Sequence, residues 1–220
     1  MEQKNYIQDF QSKKTNKWDG VVSFKPDILL MDIETTGLDP VNGKIIQVYY
    51  KIINFFTKEV KLERNEYFNA PGFKENSVNK ISLEEIKDKP EFENSDFAKE
   101  LKLNLLKCVG DKSSMVFMAQ YAPFEISWME EKLDIDLSDI KVFDTRLVER
   151  FLLGPDKSNV SASLGATCKR RGITGFDNEH RGDNDANAML EVSFQQYKEL
   201  FGDRQFDDIS FKTNILSIHR

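Results

Sequence analysis

Residues 28–40 read ILLMDIETTGLDP, and the reading of the whole chain turns on them. In an extended chain Ile28 and Leu30 fall on one parity, Leu29, Met31 and Ile33 on the other. A strand over 27–34 is therefore apolar on both faces, the pattern of a central strand sandwiched between layers. It ends in Asp32 and Glu34, which project from the same face because alternate side chains point the same way. Two such charges about 4 Å apart repel by about 4 kcal/mol at an effective dielectric near 20. Three outcomes are open: one acid stays protonated, a cation sits between them, or the strand has ended and both are solvated. The following TTGLDP is ordinary turn chemistry and does not choose among them.

Working outward, KIIQVYYKIINFF (44–56) and KEVKLERNEYFN (58–69) read as two further strands joined by a short hairpin. SLEEIKDKP (82–90) predicts a short helix stopped by Pro90, and SDFAKELKLNLLKCVG (95–110) a longer one closed by Gly110. SSMVFMAQ (113–120) and IKVFDT (140–145) are a fourth and fifth strand, with a helix over 122–133 between them that tolerates Pro123 in its first turn. Helices are predicted over 145–153, 161–172 and 183–201. In the last of these Ala186, Met189, Leu190, Ser193, Tyr197 and Leu200 form one stripe. Three meandering strands followed by strands alternating with helices imply a three-layer α/β fold, a five-stranded mixed sheet flanked by helices.

The composition fits one such domain. The chain has 220 residues, 40% of them hydrophobic and 31% charged, which excludes wholesale disorder. Residues 1–20 are polar and read as an arm, 21–205 as the domain, and 206–220 as a tail. The net charge of −6 argues against coating long duplex DNA, where phosphate neutralisation supplies most of the affinity. It is compatible with holding a few nucleotides through metal ions. Cys108 and Cys168 lack ligand spacing and read as buried thiols in a reducing compartment. No stretch approaches the roughly 18 apolar residues of a membrane span, so the expectation is a soluble, intracellular protein without a membrane partner.

Two further polar features stand at element ends. Glu125 lies in the first turn of the 122–133 helix, where an acid complements the helix dipole. EHRGDNDANAML (179–190) places His180 five residues before Asp185, with Asp183 as the expected N-cap of the last helix. Asp185 then falls in the first turn beside the apolar stripe. Singly, each of these has an ordinary structural explanation; their order and placement together are what point to a site.

With these residues in place, the sequence resembles the DnaQ-like, or DEDDh, 3′–5′ exonucleases of the ribonuclease H-like superfamily, over roughly residues 27–200. LLMDIETTGLDP is similar to the first exonuclease motif, AQYAPFEISWM to the second and HRGDNDANAML to the third. FDTRLVERF and SLGATCKRRGI resemble two weaker family segments. The resemblance implies that Asp32, Glu34 and Asp185 bind Mg²⁺ or Mn²⁺, two ions per site, with Asp32 bridging and Glu125 supporting the second ion directly or through water. It implies His180 as general base and Thr35, Thr36, Leu38 and Phe124 against the terminal nucleotide, Leu38 as a wedge. Phe124 reads equally well as core.

The implied partners are single-stranded DNA or RNA 3′ ends, DNA slightly favoured, and a polymerase or replication complex. The product is a nucleoside 5′-monophosphate. Two departures stand out: Glu125 replaces the usual Asp, and Gln120 and Tyr121 replace the usual His-Asn pair. The competing reading is a catalytically weak or inactive nucleic-acid-binding module on the same fold. Lys169, Arg170 and Arg171 read as compensation of a helix C-terminus in preference to phosphate contacts.

Overall fold

A computed structural model describes residues 21–75, 80–174 and 181–213. Five strands form one mixed sheet in the order β4-β3-β2-β5-β6. They are β2 (Asp27–Thr35), β3 (Ile45–Asn54), β4 (Val60–Tyr67), β5 (Val116–Ala119) and β6 (Val142–Asp144). β2 lies in the middle, antiparallel to β3 and parallel to β5, and β6 is parallel to β5. The two-faced apolar pattern of β2 is the cause. Leu29, Met31 and Ile33 pack with Ala98, Leu101 and Leu105 of α2 (Asp96–Leu106) and with Ile126 and Met129 of α3 (Ala122–Leu133). Ile28 and Leu30 pack on the opposite side with Val148 of α4 (Thr145–Leu153) and Ala186 and Met189 of α6 (Gly182–Phe201). Burying such side chains contributes roughly 1.5–3 kcal/mol each, enough to fix β2 between its layers. The three-layer α/β reading is the observed architecture.

The β3–β4 hairpin has no Asn-Gly turn; Asn54 supplies the chemistry instead. Its side-chain oxygen accepts from the backbone N–H groups of Phe56 and Thr57, and Lys58 takes the left-handed conformation at φ 59°. α1 (Leu83–Ile86) is shorter than expected, one turn closed by a Ser82–Glu85 capping box. α2 ends at Leu106, before Gly110, because Val109 leaves the helix to bridge Ile140. α5 (Leu164–Arg171) begins after the Ser163 cap and ends at Gly172, φ 68°. At its C-terminus Arg170 and Arg171 grip the buried Glu149 carboxylate at 2.8 and 2.6 Å. These arginines are structural, as the sequence suggested, although the partner is a side chain and not only the helix end.

Two strands were not foreseen. β1 (Val21–Phe24) pairs antiparallel with β7 (Ile209–Lys212) in a separate two-stranded sheet. β7 lies inside the stretch read as a tail from 206. Phe206, Ile209 and Phe211 pack against the β1 side of the core, Phe211 with its ring 5.9 Å from that of Phe201. The sequence carries no sign of this strand because the apolar residues there alternate over only four positions, too short a period to register. The expected arm, residues 1–20, lies outside the described residues.

Candidate active site

The acid pair sits where β2 leaves the sheet. Asp32 lies opposite Tyr49 and Glu34 opposite Gln47, and the register slips by one between Glu34 and Thr35. Such a bulge bends a strand and re-aims its side chains. The chain then turns through 36–44, with Thr36 N–H donating to the Lys44 carbonyl at 2.9 Å. The return of that turn rests on the Trp128 indole so closely that a Cβ on Gly43 would lie 2.5 Å from the ring. Trp128 is three residues beyond Glu125 on α3, so the first-motif turn and the second-motif helix share one contact.

α6 brings the third acid. Its first residue, Gly182, donates its N–H to the Gln47 side-chain oxygen at 3.2 Å. A Cβ at Gly182 would meet Tyr49 Cβ at 3.2 Å and Asp32 Oδ2 at 3.5 Å. A side chain here would push its neighbours back by a few tenths of an ångström, so glycine lets the helix start press this closely on β2 and β3 without displacement. Asp183, expected as the N-cap, lies within the first turn, and Arg181 is the capping residue. The chain stays extended through Arg181, φ −129°, and the close seat of Gly182 fixes where the helix begins. Asp185 therefore lies two residues farther into the helix than an Asp183 cap would put it, only 9% exposed. One carboxylate oxygen each from Asp32, Glu34 and Asp185 lies within 4.8 Å of the others.

Glu125 faces this group from α3. It is buried, and its Oε2 meets no hydrogen-bonding partner. Its place is fixed by Asp144 at the end of β6, whose carboxylate accepts from Ala122 N–H at 3.0 Å and Leu147 N–H at 2.9 Å. That one side chain caps α4 and anchors the start of α3.

The electrostatics follow from crowding. Asp32 is raised well above the ordinary carboxylate range by burial, then by the charges of Asp185, Glu125 and Glu34. Glu34 is pushed up to about 8 by burial and Asp185, against the lowering effect of Arg181. Glu125 is pushed up to about 8 by burial, with Asp144 adding to it. Three acids whose ionisation is disfavoured beside the charge of Asp185, one of them with an orphaned buried oxygen, suit a divalent cation.

The remaining candidates divide. Thr35 Oγ1 donates to the Gly37 carbonyl at 2.6 Å, and Thr36 Oγ1 accepts from Lys44 N–H at 2.9 Å, so both hydroxyls brace the turn. Leu38 stands out from that turn, 69% exposed. Phe124 packs against the core, its ring 6.1 Å from Trp128. His180 lies outside the described residues. Sequence reasoning missed Gln47 and the group around it. Gln47 also donates to Asn65 and Tyr67, and Arg181 donates to Tyr67 Oη at 2.8 Å while pairing with Glu85. The one available signal was a lone amide in the apolar run KIIQVYY.

No family model matches the chain. Among curated proteins it is 29% identical over 194 residues to the DNA polymerase III subunit epsilon of Rickettsia conorii, covering 80% of this chain and 74% of that protein. Among solved structures it matches E. coli exonuclease I in complex with a dT13 oligonucleotide, at TM-score 0.60 and 17% identity over 80% of this chain and 43% of that one. It also matches the nuclease domain of 3′hExo, a DEDDh family member bound to rAMP, at TM-score 0.57 and 13% identity over 86% of this chain and 98% of that one. Sequence relatives and fold agree with the three-motif arrangement, and both are similar to those of DnaQ-like 3′–5′ exonucleases on a ribonuclease H-like fold.

Proposed function

We propose that the protein removes nucleotides from single-stranded 3′ ends by metal-assisted hydrolysis, releasing nucleoside 5′-monophosphates. The observation that carries this reading is the convergence of Asp32, Glu34 and Asp185 within 4.8 Å, drawn from β2 and α6. Asp32, Glu34 and Asp185 would hold one Mg²⁺ or Mn²⁺. Asp32 and Glu125 would serve a second, the unpartnered Glu125 Oε2 being the available donor. Bound there, two such ions supply an activated water and charge neutralisation at the leaving 3′-oxygen.

The chain's own residues do the rest. His180 removes the proton from the attacking water. The 36–44 turn, braced by Thr35 and Thr36, holds Leu38 against the terminal base, and Phe124 backs that pocket from α3. The sheet and the two helical layers exclude bulk water from one side of the acids, which strengthens each interaction made there.

The Rickettsia relative is named for a DNA polymerase subunit, which supports DNA over RNA as substrate and a replication complex as partner. No helix among the described residues is long and apolar enough to cross a membrane. The test is incubation of 5′-labelled single-stranded DNA and RNA with Mg²⁺, Mn²⁺ or chelator. The expected result is a ladder shortening from the 3′ end, abolished by chelator and slowed roughly 10²–10⁴-fold in His180→Ala. A ladder that persists in chelator rejects the metal reading, and an unchanged rate in His180→Ala reassigns the base.

A further inference from the structure

Tyr121 and Arg146 belong to the two segments that flank Glu125, and neither has a part in the scheme above. β5 and β6 end side by side, with Ala119 paired to Asp144. The chain leaves β5 through Gln120 and Tyr121 into α3, and leaves β6 through Thr145 and Arg146 into α4. Asp144 ties the two exits together through Ala122 N–H at 3.0 Å. On this frame the Arg146 guanidinium carbon lies 4.8 Å from the centre of the Tyr121 ring.

What sets Arg146 apart is the use made of its charge. Among the described residues Arg64, Arg170, Arg171 and Arg181 hold carboxylates. Arg150 and Arg204 donate to backbone carbonyls. Arg146 forms no ion pair with a carboxylate and donates its side chain to no carbonyl among those residues; its charge acts on Asp144 only through space, and it is exposed. A guanidinium offers five donors in one plane, matched to phosphate oxygens. Stacking on an aromatic ring fixes that plane in advance, so less freedom is lost when an anion binds. In a chain of net charge −6, an unpaired, pre-oriented arginine beside a buried acid site suits an anionic strand approaching that site.

We propose that Arg146, seated on Tyr121, binds the backbone phosphate upstream of the scissile linkage and gives the enzyme its preference for a strand over a single-nucleotide ester. The inference rests on the exonuclease reading above and adds a subsite to it. Arg181, by contrast, is held by Glu85 and Tyr67 and acts on Glu34, so it belongs to the acid cluster itself.

The test compares a 5′-labelled single-stranded oligonucleotide with thymidine 5′-(4-nitrophenyl phosphate), which has no upstream phosphate, under one metal condition. In Arg146→Gln the ratio of kcat/KM for oligonucleotide over ester falls about ten-fold, through KM and not kcat. The slope of log KM against log salt for the oligonucleotide shrinks by about 0.7, the value for one lost contact to a single strand. Tyr121→Leu, which removes the platform and keeps the charge, lowers the ratio by a smaller factor, about three-fold, with the salt slope kept. Because the ratio is internal to each preparation, a partly unfolded variant does not distort it. An unchanged ratio in Arg146→Gln, or a loss shared equally by both substrates, overturns the proposal. A wild-type protein that cleaves neither substrate overturns the exonuclease reading and this inference with it, and is told apart by that inactivity.

Discussion

Removing the charge of Asp32 should make the metal-free protein more stable while destroying its capacity to be stabilised by metal. The carboxylate oxygens of Asp32, Glu34 and Asp185 lie within 4.8 Å of one another, and two full charges at that distance repel by about 3.5 kcal/mol at an effective dielectric near 20. Asp32 faces two such neighbours, but Glu34 is pushed up to about 8 and is only partly ionised near pH 8, so the repulsion from one full charge sets the scale of the effect. Asp32→Asn should therefore stabilise the chelated protein by about 3 kcal/mol at pH 8, a rise in Tm of roughly 6–12 °C for a chain of this size.

The pH dependence has a definite sign. A carboxylate whose folded pKa is raised binds more protons in the native state than in the unfolded chain. Its stability contribution is complete below the unfolded value near 4.5 and is lost as pH rises toward about 8. The gap between Asp32→Asn and the wild type should accordingly shrink as the pH falls from 8 to 5. Thermal melts in chelator at pH 5 and pH 8, then with added Mn²⁺, read all of this. Wild-type Tm should climb with Mn²⁺ and the variant's should not. A variant less stable than wild type in chelator at pH 8, or a gap independent of pH, refutes the reasoning.

Two further substitutions separate framework from chemistry. Gly182→Val places a branched side chain where even a Cβ lies 3.2 Å from Tyr49 Cβ. It should move the start of α6, lower the cleavage rate on the order of 10²-fold and cost about 1–3 kcal/mol of stability in melts. Full activity would mean that Asp185 does not depend on this contact. Glu149→Gln breaks the buried pairing with Arg170 and Arg171 and should destabilise by about 3 kcal/mol in urea titration, with kcat/KM of the folded fraction unchanged. A selective loss of activity at full stability would connect that network to the site.

The fold was legible where one local pattern decided it. β2 announced itself through five apolar residues on both parities, and α6 through a stripe of which Ala186, Met189, Ser193 and Tyr197 are all buried. The acids were legible because a charged residue at the end of a buried strand is conspicuous. What brings them together was not. Gln47 reads as one polar residue among apolar ones, yet its side-chain oxygen receives the first N–H of a helix 135 residues away. Gly182 reads as a loop glycine, and its lack of a side chain matters only once Tyr49 and Asp32 are known to lie behind it. β7 shows the same limit: its pairing with β1 joins residues at opposite ends of the described chain, Val21 and Lys212, and no local period encodes a partner that distant.

The two long-range contacts also explain why four repelling acids can be tolerated. Asp32 and Glu34 ride on a strand hydrogen-bonded on both edges, and Asp185 is held to them through Gly182 and Gln47. Glu125 is held from the other side through Ala122 and Asp144. None of these fastenings uses a catalytic oxygen. The repulsion therefore acts against a framework whose stability comes from the apolar faces of β2 and the bonds at element ends. In a site assembled in this way, ion binding would neutralise charge without having to order the protein. The same separation predicts that substitutions at Gln47 or Asp144 weaken catalysis through misplacement, whereas substitutions at Asp32 abolish it while stabilising the fold.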